Sequence, residues 1–138
     1  MGIAPKPTLL HAELTEKIIG AFYDVYNELG PGFLESVYQR SMVIALTDAG
    51  LKTETEYDVP VLFRGQSVGD FRADITVEKS VLLELKAASR IENSHEGQIL
   101  NYLRATPFEV GLLLNFGPKA EFRRFILENI NKKNPRNP

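Results

Sequence analysis

Asp74, Glu84 and Lys86 are the residues of this 138-residue chain whose types and spacing suit chemistry. Glu84 and Lys86 lie inside the apolar run Val81-Leu82-Leu83-Glu84-Leu85-Lys86-Ala87, which reads as a buried strand. Side chains alternate along a strand, so two residues spaced like these point to one face. Asp74 sits near the end of a strand-like run over 69–77, and Glu78-Lys79-Ser80 is short enough to fold that strand back beside the next. Two carboxylates and an ammonium then converge at a half-buried point of a sheet. Taking such charges out of water costs roughly several kcal/mol each unless they are paired or bind a metal. A plain Glu84–Lys86 ion pair on an exposed face would be worth little. Two acids with no cation between them repel until one protonates, and a divalent ion removes that penalty.

Residues 12–29 place Leu14, Ile18, Ala21, Phe22, Val25 and Leu29 at helical spacing, and Gly30-Pro31 supplies the stop. A second helix over about 34–48 puts Leu34, Tyr38, Met42, Ala45 and Ala49 on its core stripe. Glu35 falls at the edge of that stripe, three before Tyr38; an acid in a first turn is also favoured by the helix dipole, by ~0.3–1 kcal/mol. Strands follow over 53–63, 69–77 and 81–87, with Arg64-Gly65-Gln66-Ser67 as a hairpin turn. Asn93 as N-cap and Glu96 form a capping box for a third helix that runs to about Arg104. On it His95, Gln98 and Tyr102 share a polar stripe, opposite Ile99, Leu100 and Leu103. Such a stripe is either a solvated face or a pair of groups, amide and phenol, aimed at a phosphate or a base. Residues 109–116 read as a central strand, and 121–127 as a last strand or a short helix. The order ααβββαβ plus this final element predicts an α/β fold, with one domain over 1–130 and a disordered tail over 131–138.

At 15.5 kDa, 43% hydrophobic and 25% charged, the chain has the composition of one globular domain. No apolar stretch approaches the ~20 residues of a membrane span, and no signal peptide is evident at the start. There is no cysteine, so thiolate metal sites and disulfides are excluded. A cytoplasmic protein is the simplest expectation. Net charge is −2, divided as −5 over residues 1–60 and +3 over 61–138, so a basic patch would fall on the half that carries Asp74, Glu84 and Lys86.

Taken in order, these pieces resemble the PD-(D/E)xK nuclease superfamily, and more narrowly its GxxExxY family. The motif behind that name stands here as Gly32-Phe33-Leu34-Glu35-Ser36-Val37-Tyr38. The resemblance runs from about Ile18 to Phe125. It takes in Asp74, Glu84-Leu85-Lys86, Gln98-Ile99-Leu100-Asn101-Tyr102-Leu103 and Gly111-Leu112-Leu113-Leu114-Asn115-Phe116. The Gln-x-x-x-Tyr element is similar to that of RecB-type nucleases. Ala73 replaces the proline of the superfamily's name.

The resemblance implies a restriction-endonuclease-like mixed β-sheet core flanked by helices, and a role for each position. Asp74 and Glu84 would hold Mg²⁺ or Mn²⁺, with the Leu85 carbonyl and Glu35 completing the set. Lys86 would orient or deprotonate the attacking water. Asp74, Glu84, Lys86 and Gln98 form the implied catalytic set, and Gln98, Tyr102, Tyr38 and His95 the implied substrate contacts. Oxygen-only ligands suit those hard cations. The implied partner is nucleic acid, DNA ahead of RNA, with a homodimer as the form suited to cutting both strands. The implied function is a divalent-metal-dependent nuclease. The alternative is a nucleic-acid- or protein-binding module that keeps the fold without catalysis, a reading favoured by the small size and the acidic first half.

Overall fold

The computed structural model describes residues 11–132. Helix α1 (Ala12–Leu29) buries Ile18, Ala21, Phe22 and Val25 along one stripe and ends where Gly30, at φ 70°, donates its N–H to the Tyr26 carbonyl. Helix α2 (Glu35–Asp48) buries Tyr38, Met42 and Leu46, four apart. Leu34 was expected on that stripe. It precedes the first turn instead and stands 77% exposed, because the residue before a helix has not yet entered the helical face.

Five strands follow: β1 (Thr53–Phe63), β2 (Gln66–Val77), β3 (Val81–Lys86), β4 (Val110–Phe116) and β5 (Ala120–Ile126), with α3 (Asn93–Ala105) between β3 and β4. The last element is therefore a strand. The sheet runs β1-β2-β3-β4-β5; β3 and β4 are parallel and the other neighbours antiparallel. A parallel pair needs a crossover, and α3 supplies it. Arg64 (φ 52°) and Gly65 (φ 79°) turn β1 into β2, the left-handed pair that a two-residue hairpin requires. Three helices and a mixed five-stranded sheet make an α/β fold of restriction-endonuclease-like type.

Each face of the sheet has its own core. Val81, Leu83, Leu85, Leu112 and Leu114 pack with α1 and α2, whereas Leu82 and Leu113 pack with Ile99 and Leu103 of α3. Every residue of β4 is buried, as a strand covered on both faces must be. Helix α3 begins one residue earlier than its sequence suggests. Glu92 is the N-cap, and its N–H donates to His95 Nδ1 at 3.0 Å.

The C-terminal segment also differs from expectation. Asn131 closes a short 3-10 turn, and Lys132 is buried with Nζ donating to the carbonyls of Thr106 and Phe108. The rest of the expected tail, 133–138, lies outside the described residues. Among the described residues no helix is long and apolar enough to cross a membrane.

Candidate active site

The site is built where the sheet comes apart. The β2–β3 ladder pairs Val77 with Val81, Thr76 with Leu82 and Ile75 with Leu83, then stops. Asp74 and Glu84 would be the next pair. Their backbones do not pair; side chains bridge the gap. Leu85 N–H donates to Asp74 Oδ2 at 2.8 Å, and Asp74 N–H reaches Glu84 Oε2 at a long 3.4 Å.

The β1–β2 ladder skips the same residue. Thr55 pairs with Ile75 and Tyr57 with Ala73, but Glu56, left-handed at φ 51°, does not pair with Asp74. Ala73 packs in the core beneath α3 and Ile75 in the core beneath α1–α2, although residues two apart on a regular strand share a face. The pleat therefore reverses across Asp74. Its carbonyl is taken by Gln39 Nε2 of α2 at 2.9 Å.

Burial sets the charge state, and at Glu84 the Asp74 charge adds to it. Glu84 is 6% exposed. Desolvation first, and then the Asp74 charge, push its carboxyl up to about 8, against the opposing pull of the Asp74 N–H and of Lys86. Desolvation also raises Asp74, opposed by the Leu85 N–H, with the Glu35 charge adding to the rise. Glu35 is itself exposed, at the first position of α2, yet both acids feel its field. Lys86 is partly buried and forms no salt bridge among the described residues, so the simple Glu84–Lys86 ion pair is absent. Its charge nevertheless lowers both acids.

On the α3 side, Gln98 Nε2 donates to the Tyr102 hydroxyl at 2.6 Å, and the Tyr102 ring stacks on Phe71 with centroids 3.7 Å apart. Desolvation raises the Tyr102 phenol, and the Glu84 charge adds to the rise, which places α3's polar stripe within the field of the acids. Tyr38 is wholly buried, stacked on Phe116. Its hydroxyl donates to the Gly30 carbonyl and accepts from Phe33 N–H, so it braces the α1–α2 connection. The His95 Nδ1 is occupied at the start of α3.

Three residues matter here that the sequence reading gave no role. Gln39 lies one turn after Glu35, a spacing that would have marked it as sharing that face. Phe71 of β2 stacks on Tyr102 of α3, a contact between distant elements that no local pattern reveals. Asn115 is the one polar residue among the apolar residues 110–116, and that was its signal. Buried opposite Lys86, its amide donates to the Ala88 carbonyl and accepts from the Ala88 N–H, fixing the chain just past the lysine.

The donors available to a cation are the oxygens of the Asp74–Glu84 pair, with Leu85 tied through its N–H to Asp74 Oδ2. Thr76 adds a buried hydroxyl with no partner among the described residues, opposite Leu82 and hence on the same face as Glu84. Two buried acids, the Glu84 carboxyl raised by burial and by the Asp74 charge, with an unpartnered hydroxyl on the same face of the sheet, fit a hard divalent ion. Among the described residues no three acid or imidazole side chains are grouped so as to hold a metal ion.

A mixed sheet split over paired acids, with a lysine two residues on and helices on both faces, is an α/β arrangement of restriction-endonuclease-like type. The chain belongs to the PD-(D/E)XK nuclease superfamily, whose sequence profile matches residues 12–125. Its fold is also similar to the crystal structure of SSO0001, with a TM-score of 0.51 and 19% identity over 88% of this chain. The match spans 61% of that protein. No curated protein matches the chain in sequence.

Proposed function

We propose that this protein is a divalent-metal-dependent nuclease of the GxxExxY type that hydrolyses phosphodiester bonds in DNA or RNA. The single observation that supports this most is the interlocked pair: Asp74 and Glu84 replace a rung of the sheet, and burial with the Asp74 charge pushes Glu84 up to about 8. A structural protein gains nothing from two acids arranged in that way.

In this reading Asp74, Glu84 and the Leu85 carbonyl hold Mg²⁺ or Mn²⁺, with Glu35 approaching from α2. When bound, such an ion lowers the pKa of water and offsets charge on the phosphoryl oxygens. Lys86 is the proton-handling or water-orienting group, since it faces the same side as Glu84 and, among the described residues, is not tied up in an ion pair. Gln98 and Tyr102 orient the phosphate backbone through the amide and the phenol. Tyr38 and His95 support the scaffold. A cytoplasmic location suits a nucleic-acid substrate.

The test is cleavage of single-stranded and duplex DNA and RNA with Mg²⁺ or Mn²⁺, against EDTA, for wild type, Lys86→Ala and Lys86→Arg. Metal-dependent cutting that both variants lose supports the reading; Arg fails because a guanidinium stays protonated and cannot shed its proton. Retardation of nucleic acid without cutting under any metal would favour the binding-module reading. Equal rates in all three proteins would remove Lys86 from the chemistry.

A further inference from the structure

Neither neighbouring strand pairs with Asp74, so its backbone depends on side chains. Its N–H meets Glu84 only at 3.4 Å, and its carbonyl is held by Gln39 Nε2 at 2.9 Å. The shorter of these two bonds comes from α2. Gln39 and Glu35 are four apart and lie on one face of that helix. That face thus carries the donor that grips the Asp74 backbone and, one turn earlier, the carboxylate whose charge Asp74 feels. The apolar contacts of α2, through Tyr38, Met42 and Leu46, anchor the helix to the core that also holds Ile75, Leu83 and Leu85, whereas the polar tie to Asp74 comes from Gln39.

We infer that Gln39 is a positioning residue, which fixes the Asp74 carbonyl and so aims the Asp74 carboxylate at the Leu85 N–H and at the cation site. Its amide must present Nε2, because the partner is a carbonyl oxygen. Replacing that donor with an acceptor of equal size leaves two oxygens facing each other. The reversed pleat at Glu56 and Asp74 then has no tie on the α2 side, and the carboxylate loses its fixed direction. Residues that orient a metal ligand commonly change affinity by ~10–100-fold when removed.

Hydrogen exchange at the Leu85 amide reads this directly, since that N–H is bonded to Asp74 Oδ2. In metal-free protein, Gln39→Leu and Gln39→Glu are expected to speed Leu85 exchange by about tenfold, with the Leu83 and Leu113 amides unchanged. Gln39→Lys restores a donor and is expected to keep wild-type protection. Calorimetry is expected to show Mn²⁺ affinity reduced ~10–100-fold in Gln39→Leu. Wild-type protection of Leu85 in both Gln39→Leu and Gln39→Glu overturns the inference. So does acceleration shared by Leu83 and Leu113, which would make Gln39 a packing residue, or unchanged Mn²⁺ affinity in Gln39→Leu. Only the Mn²⁺ arm rests on the nuclease reading. A wild-type protein that binds no Mn²⁺ sinks that reading, while Leu85 exchange still decides the role of Gln39.

Discussion

Glu84 is a carboxyl whose folded environment favours its neutral form, pushed up to about 8 from the usual 4.5 by burial and by Asp74. Such a group contributes stability that is complete below pH ~4.5 and is lost as pH rises through about 8; Asp74, also raised, has the same sign. The metal-free protein is therefore expected to lose stability between pH ~5 and ~9, by an amount on the order of a few kcal/mol. Glu84→Gln keeps the shape and removes the titration, so its profile should be much flatter. Urea unfolding in EDTA at a series of pH values checks this, and matching profiles for the two proteins would refute the assignment of the effect to Glu84.

At the scale of elements, β3 and β4 hold the lysine in place after the sheet has split. Asn115 grips Ala88 at both backbone atoms. Gly117 lies so close that an added Cβ would sit 2.0 Å from the Ala88 carbonyl oxygen, and its own carbonyl accepts from the Tyr26 hydroxyl of α1. No rotamer relieves a clash with backbone. Gly117→Ala is expected to cost ~1–3 kcal/mol as overpacking. Asn115→Ala leaves two backbone groups of Ala88 unpaired and should cost at least ~1–3 kcal/mol. Thermal denaturation checks both, and a melting temperature unchanged in either variant would show that the 86–88 segment is not fastened in this way.

For the whole molecule, the two cores lie on opposite faces of one sheet, so the acids can be changed without emptying either. Asp74→Ala and Glu84→Ala should fold. The wild type is expected to melt several degrees higher in excess Mn²⁺, since a ligand at about 100 times its Kd adds ~2.7 kcal/mol to the native state. Both variants should lose that increment. An increment equal to that of wild type in both would place the cation elsewhere on the protein.

The amino-acid sequence by itself determined the order of the elements as far as β4 and singled out the acids and the lysine as the groups to place. The helical spacing of Ile18, Phe22 and Val25, the glycine stops and the alternation that sets Glu84 beside Lys86 are local patterns, and local backbone geometry turns them into structure directly. What only the tertiary structure decided is how Asp74 meets them. The reversed pleat at Glu56 and Asp74, the reach of Gln39 from α2 and the stacking of Phe71 on Tyr102 each join residues far apart in the chain. Tyr38 shows the same limit from the other side. Its place in a motif suggested a contact with substrate, and the packing of α2 against Phe116 took its ring into the core. Periodicity reports which face a residue occupies on its own element. What stands opposite that face is set by how the elements dock, and at this site docking determines which carboxylates meet, how dry they are and therefore how they are charged.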